Sequence, residues 1–226
     1  MRLIVFVGIF LIAAAQVTAQ SVETRSVGSF SGVKAAEAID VYLKKGEKES
    51  VRVEVTGTRL SDVITEISGS YLKIHMENGS YRKTIVKVYV TYVKLDKIYA
   101  SSASNVFSEG PIKASAMDIS VSSAATVEVS LDAGDVSADV SSAGDIVLEG
   151  KCRSLEVEAS SAGDIDAYRL ESENVRARAS SAGSIKLTAT KELDARASSG
   201  GDVRYRGNPL KTNTDSSSGG SVKKSN

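Results

Sequence analysis

Two aspartates of this chain occupy the same hexapeptide context. Asp145 sits in Ser141-Ser142-Ala143-Gly144-Asp145-Ile146, and Asp164 in Ser160-Ser161-Ala162-Gly163-Asp164-Ile165. If the two copies stack in register, their carboxylates lie about 5 Å apart. Carboxylates that close share a proton, or bind Ca²⁺ with help from backbone carbonyls. Asp202 follows in a related copy, so the whole column reads Asn105, Thr126, Asp145, Asp164, Ser184, Asp202, Ser221. Only two adjacent rungs carry Asp, and the favoured expectation is that each Asp or Asn accepts hydrogen bonds from its own turn amides. The leading expectation is no cofactor. Asp145, Asp164 and Asp202 stand as the metal-ligand candidates of a calcium-assisted alternative.

Other chemistries find fewer residues. Hydrolysis or lyase chemistry needs an acid and a base on one face. The sole histidine, His75, lies in an apparent strand outside the repeats. Ser pairs abound, but no repeat Ser has a His in its module to activate it. Cys152, the sole cysteine, reads as an inert residue of a connection between coils. Tyr81, Tyr89, Tyr92 and Tyr99 offer rings for sugar stacking, and Tyr168 and Tyr205 lie within the repeats. Tyr205 falls at an inward position. Tyr89 shares a face with Lys87 and Thr91 that alternation turns outward.

These residues are positioned by a repeat. The hexapeptide recurs from 180 as Ser-Ser-Ala-Gly-Ser-Ile, from 198 as Ser-Ser-Gly-Gly-Asp-Val and from 217 as Ser-Ser-Gly-Gly-Ser-Val. Weaker copies start at 101 and 122, so the spacings are 21, 19, 19, 20, 18 and 19. Around each copy the chain alternates. Leu155, Val157 and Ala159 alternate with Glu156 and Glu158, and Val175, Ala177 and Ala179 with Arg176 and Arg178. Period two about a Gly-containing corner predicts strand, turn, strand. One such unit cannot bury its apolar face alone, so the units must stack into a solenoid. Gly144, Gly163, Gly183 and Gly201 are expected at the corner for their tolerance of positive φ. The preceding Ser and Ala are expected to face a tight interior. Ile146, Ile165, Ile185 and Val203 then form one inward column.

In-register stacking should pair opposite charges along outward columns. Glu156, Arg176, Asp194 alternates in sign throughout. Asp166, Lys186, Arg204 and Glu158, Arg178, Arg196 each begin with an opposite step and end with a like one. Four of the six steps favour parallel, in-register coils. Six coils at ~4.8 Å give a rod about 29 Å long.

Residues 20–100 carry no such repeat but still read as strands over 39–43, 51–55, 71–76 and 85–93, with Gly46, Gly57, Gly69 and Asn78-Gly79 at turns. The stretch 58–67 fits a short helix or a looped strand equally. This half is expected to start the solenoid and cover its open end. At the other end Lys223-Lys224-Ser225-Asn226 places charge on the last coil. Met1-Arg2, an apolar run over 3–15 and Val17-Thr18-Ala19 form a cleavable export leader over 1–19. Its apolar run, ~13 residues, is short of the ~20 that span a bilayer. Balanced charge, 28 Lys+Arg against 28 Asp+Glu, argues against nucleic acid.

Phe30-Ser31-Gly32-Val33, Val41-Tyr42-Leu43-Lys44-Lys45-Gly46, Val51-Arg52-Val53-Glu54 and Leu95-Asp96-Lys97-Ile98, in that order before Gly-Asp-Ile repeats, resemble the putative auto-transporter adhesin, head GIN-domain family of secreted bacterial proteins. The likeness runs from about Phe30 to about Val222. It implies a right-handed, single-stranded β-helix of pectin-lyase-like shape, an adhesive role and no established catalytic centre. The Gly-Ile-Asn tripeptide of the name is absent, the turns reading Gly-Asp-Ile or Gly-Ser-Ile.

The combined expectation is an all-β, right-handed parallel solenoid of about 19 residues per coil. Its parts are a leader over 1–19, a β-rich part over 20–100 and repeats over 101–226, with 20–226 one continuous domain. The expected function is that of an exported, non-enzymatic adhesin, periplasmic or on the cell surface, binding a glycan or protein partner and spanning no membrane after leader cleavage. The alternatives are a lyase-like enzyme using the Asp column with Ca²⁺, and a purely structural scaffold.

Overall fold

The computed structural model describes residues 20–225, and the leader expected over 1–19 lies outside them. Short strands come first: β1 (Ser21–Arg25), β2 (Gly32–Ala35), β3 (Asp40–Lys45), β4 (Ser50–Thr56), β5 (Val63–Ser68), β6 (Tyr71–Met76), β7 (Ile85–Tyr92) and β8 (Lys97–Ala100). Long strands follow, each running almost a full coil: β9 (Asn105–Val121), β10 (Thr126–Val140), β11 (Asp145–Ala159), β12 (Asp164–Ala179) and β13 (Ser184–Ala197). Three short strands finish the chain: β14 (Asp202–Arg206), β15 (Lys211–Ser216) and β16 (Ser221–Lys224). All sixteen belong to one continuous sheet wound into a solenoid.

The coils pair parallel and in register, Thr126 opposite Asp145, Asp145 opposite Asp164 and Asp164 opposite Ser184. Side chains therefore stack in columns. Val41, Val106, Val127, Ile146, Ile165, Ile185 and Val203 form one buried column, closed by the half-buried Val222. Another runs Ile98, Ile119, Ala138, Val157, Ala177, Ala195 and then Thr214. In the last coil Thr212, Thr214 and Ser216 take the inward register of Leu193, Ala195 and Ala197, and the apolar core ends there. Tyr205 pairs with Leu187 at an inward position and is half-buried at this end.

The repeat turn differs from expectation in where its special conformation falls. The second Ser and the Ala carry positive φ, 52° at Ser142 and 58° at Ala143, and both are exposed. Gly144 donates back to the Ser141 carbonyl at 3.1 Å, which makes the turn type I′. The glycine itself is buried and outside the positive-φ region. Its requirement is space: a Cβ on Gly183 would lie 2.5 Å from the carbonyl carbon of Ala159 in the previous coil. The tight spot is thus the Gly, and the Ser and Ala face solvent.

Residues before the repeats build the starting end. β3 and β8 both pair parallel with β9, on the two flanks of the first coil. Outward from β3 come β7, parallel, then β4 and β1, antiparallel. Outward from β8 come β2 and β6, parallel, then β5, antiparallel. The undecided stretch 58–67 resolves into a 3₁₀ turn, Leu60–Asp62, leading into β5. Arg25 of β1 ties the two flanks together, donating to the carbonyls of Leu60 (2.7 Å) and Val63 (2.6 Å) and to Thr65 Oγ1 (3.0 Å). Asp62 anchors the turn by accepting from Arg59 Nη2 (2.7 Å) and Thr58 Oγ1 (2.6 Å).

The turn geometry yields opposite outcomes at neighbouring residues. Gly183→Ala forces backbone apart and should cost about 3 kcal/mol, the upper end of overpacking penalties, lowering Tm by roughly 6–12 °C. Ala182→Gly relieves a left-handed residue worth about 1–2 kcal/mol against about 0.5–1 kcal/mol of extra chain entropy, so it should raise Tm slightly. Thermal melts of both variants check this. The Arg59 guanidinium, with Thr58, holds the Asp62 carboxyl down at about 2. Its contribution is therefore full above the unfolded value near 4 and lost as pH falls through 2. Asp62→Asn should lower Tm at pH 7, and the gap to wild type should close between pH 4 and 2.

Candidate functional site

The second corner of each coil, opposite the Ser-Ser-Ala-Gly turn, carries a groove of about 990 Å³ running along the solenoid. It crosses seven successive rungs, from Lys94–Lys97 to Lys211–Asn213. Its floor is the column Leu95, Met117, Val136, Leu155, Val175 and Leu193, inward residues that are 1–5% exposed. Residues one position to either side flank that floor. One flank is the column Asp118, Ser137, Glu156, Arg176, Asp194 and Asn213. The other is Ala116, Asp135, Ser154, Asn174, Glu192 and Lys211. Alternation on an extended strand creates this pattern: inward residues seal the core, and their neighbours must point out.

Charges in the groove nearly cancel, five Lys or Arg lining it against six Asp or Glu. Most are paired within or between coils. Arg153 grips both oxygens of Asp135 (2.7 and 2.8 Å), Lys211 meets Glu192 (2.6 Å) and Arg176 lies 3.7 Å from Glu156. The Arg153 guanidinium holds the Asp135 carboxyl below its usual range. At the N-terminal end Asp96 contacts Lys94 through one oxygen (3.2 Å), while its other oxygen is buried without a donor.

The Asp column expected from the repeat is in register throughout, from Asp40 and Asn105 to Ser221. Asp145 and Asp164 are direct neighbours, and Asp202 is separated from them by Ser184. Their carboxylates do not accept from the turn amides. Those amides are already committed: Ala143 donates to Ser161 of the next coil, Gly144 to Ser141, and Asp145 to Ala125 of the previous coil. Several of the side chains find other partners, in the column or from the outward column two residues on. Asn105 Nδ2 donates to Asp40 (2.7 Å), Lys186 lies 3.7 Å from Asp164, and Arg204 Nε bonds Asp202 (2.7 Å). Among the described residues no three His, Cys, Asp or Glu side chains converge as a metal cluster.

Several tyrosines have a ring face covered by a neighbour. Tyr89 is sandwiched between Tyr42, at 5.1 Å between centroids, and Arg52, at 4.2 Å. Tyr42 stacks in turn on Phe107 at 5.4 Å, so four rungs share one cation-capped aromatic pile. Lys34 covers Tyr99 and Arg206 covers Tyr168. Tyr92 is buried, and Tyr81 packs on the core while donating to Glu77. His75 is half-buried in β6 with Nδ1 2.9 Å from the Met76 carbonyl oxygen. Cys152 lies within β11, not in a connection; it donates to Ser172 Oγ (3.3 Å), and burial pushes its thiol up.

A second, smaller groove of about 540 Å³ follows the first Ser of each turn. Burial, then the neighbouring Glu158, pushes the Asp139 carboxyl up there. Arg178 satisfies Glu158 (2.7 Å) and Glu156 (3.3 Å) beside it.

An all-β solenoid with a long, charge-balanced groove belongs to the class of rod-like proteins whose stacked coils present an extended surface. The chain belongs to the family described as "putative auto-transporter adhesin, head GIN domain", whose model matches residues 29–209. Among solved structures, a "putative adhesin" from Bacteroides fragilis superposes with a TM-score of 0.84 at 19% identity, covering 92% of this chain and 97% of its own. A "putative adhesin" from Parabacteroides merdae gives 0.74 at 19%, with 92% and 96% covered. A "putative lipid binding protein" from Parabacteroides distasonis gives 0.69 at 20%, with 92% and 97% covered. At these identities the likeness establishes the fold. No curated protein matches the chain.

If the aromatic pile serves stability, Tyr42→Leu removes two ring pairs, each worth about 0.5–1.5 kcal/mol. It should lower Tm by several degrees, which thermal melts of the variant and the parent check.

Proposed function

We propose that this chain is an exported, non-enzymatic, adhesin-like protein that holds an extended partner, a glycan or a protein segment, in the groove along its second corner. The observation that carries this reading is the groove's continuity over seven rungs with a floor of one apolar column. Such a surface suits a linear ligand, because a groove open along the axis lets an extended chain lie across successive coils. The family membership and the leader over 1–19 support export and an adhesive role. The pairing of groove carboxylates with Arg153, Arg176 and Lys211 supports binding over catalysis, since an acid or base held in an ion pair is poorly poised for proton transfer. No helix among the described residues is long and apolar enough to cross a membrane.

The test uses fluorescently labelled residues 20–226 on panels of intact bacterial and host cells. Saturable binding is expected, and Ser154→Arg with Asn174→Arg should weaken it about tenfold or more, the loss of ~1.4 kcal/mol, at unchanged Tm. Binding that ignores the double substitution would remove the groove as the site.

A further inference from the structure

We infer that a second copy of this chain docks side by side and antiparallel on the sheet face between the groove and the Ser-Ser-Ala-Gly turns, held by matched outward charges. The inference does not depend on what the groove binds; it adds a further surface and the partner that fits it.

This face is built of β5, β6, β2, β8, β9, β10, β11 and β12, paired in that order. One outward column starts Glu66, Lys73, Lys34, Tyr99 and continues Ser120, Asp139, Glu158, Arg178. Its signs read minus, plus, plus, neutral, then neutral, minus, minus, plus. The second half is the first in reverse order with every charge inverted. The neighbouring column, nearer the groove, carries Lys97 on β8 beside Asp118 on β9. These residues point outward because their strand neighbours, such as Ile74, Ala35, Ala138 and Val157, are buried. Among the described residues Glu66, Lys73, Lys34, Lys97, Asp118 and Asp139 make no ion pair, whereas Glu156, Arg176 and Arg178 beside them do. Lys73 lies beside Lys34, and Asp139 beside Glu158, like charges on adjacent strands that repel. Burial, then Glu158, Asp118 and Glu156, pushes the Asp139 carboxyl up.

A two-fold axis lying in the contact plane, along the strands and midway between β8 and β9, reverses the order of rungs and keeps each column facing itself. Lys34 then meets the partner's Asp139, Lys73 the partner's Glu158, Glu66 the partner's Arg178 and Lys97 the partner's Asp118. Each pair occurs twice. Repulsion guards this register. Sliding by one rung sets Lys73 against Arg178 in one direction and Glu66 against Glu158 in the other. A two-fold along the solenoid axis sets Glu158 against Glu156 and Arg178 against Arg176. Shape agrees with charge: Asp139 and Glu158 line the smaller groove of about 540 Å³, a concavity that receives the long lysine side chains of the second copy. Seven steps of ~4.8 Å by two pleats of ~6.6 Å give a contact of about 34 by 13 Å, or ~900 Å² over both copies. That is the size of a weak, reversible association.

The experiment is analytical sedimentation of residues 20–226 over a range of chain and salt concentrations, with Lys34→Glu and Asp139→Lys made separately and then mixed. Each substitution leaves an opposite charge beside it on its own chain, Lys73 or Glu158, so the fold is retained, and thermal melts check this. The expected result is a reversible dimer by about 0.1 mM chain, as suits a contact of this size. It should weaken at least about tenfold between ~0.1 and ~1 M salt, as the screening length falls from ~10 to ~3 Å. Either substitution alone sets like charges together twice per dimer and should weaken association about tenfold or more, a loss of ~1.4 kcal/mol. The equimolar mixture should associate as the parent does. The two substitutions then face each other across one contact, and the unchanged Lys34 and Asp139 meet across the other. A chain that stays monomeric at that concentration in low salt overturns the inference. So does a dimer indifferent to salt or to both substitutions, or a mixture no tighter than either variant alone.

Discussion

Every feature of this molecule follows from the demand that each coil hydrogen-bond the next in register. The demand is most stringent at the Ser-Ser-Ala-Gly turn, where the chain reverses in four residues. The second left-handed residue sends its amide to the neighbouring coil: Ala103 to Ser123, Ala124 to Ser142, Ala143 to Ser161, Ala162 to Ser181. To aim that amide outward along the axis, two consecutive L-residues adopt positive φ, a conformation they resist. The following residue must be small because the previous coil's backbone lies against it. In this column Ser104 and Ala125 precede the glycines, Ser104 being buried and bonded to the Ala35 carbonyl (3.1 Å). The local strain at each corner is offset by an uninterrupted ladder of backbone bonds.

The same registry governs the surface. Columns that pair Glu156 with Arg176 and Glu158 with Arg178 spread charge without accumulating it, and the aromatic pile of Tyr89, Tyr42 and Phe107 arises because three strands place rings at one level. Individually these exposed pairs contribute little. Their value lies in opposing slippage, since a shift of one residue would turn every inward side chain outward. The groove inherits the spacing of this registry but not its repetition of residue type, since its flanks change from rung to rung.

Much of this was legible beforehand, for identifiable reasons. The spacing of the Ser-Ser copies defines the coil length, and the sign of Glu156, Arg176 and Asp194 predicts their register. The family likeness, quoted on residues from Phe30 onward, agrees with the matched span. What escaped the reading escaped it physically. Positive φ at Ser142 and Ala143 is marked only by Gly200 and Gly219, which take the Ala position in the last two turns, and the Gly that follows was the expected bearer. The antiparallel strands β1, β4 and β5 look like any other alternating segment, because period two reports a strand and not its direction. The groove was invisible because its corner lacks a repeated residue. Asp135-Val136-Ser137, Ser154-Leu155-Glu156, Asn174-Val175-Arg176 and Glu192-Leu193-Asp194 share only their central apolar residue, so only the folded backbone shows that a concavity runs through them.

The two ends of the solenoid are built on different logic. At the beginning, Arg25 and the antiparallel strands knit distant segments together. At the finish, Thr212, Thr214 and Ser216 replace Leu193, Ala195 and Ala197 in the inward register, and among the described residues β15 pairs on one side only, with β13. Because each coil touches only the adjacent ones, cooperativity decays with distance along the rod. The coil in which threonines stand in for core residues therefore has the least apolar burial to hold it, so its backbone amides are expected to be the less protected from exchange with solvent.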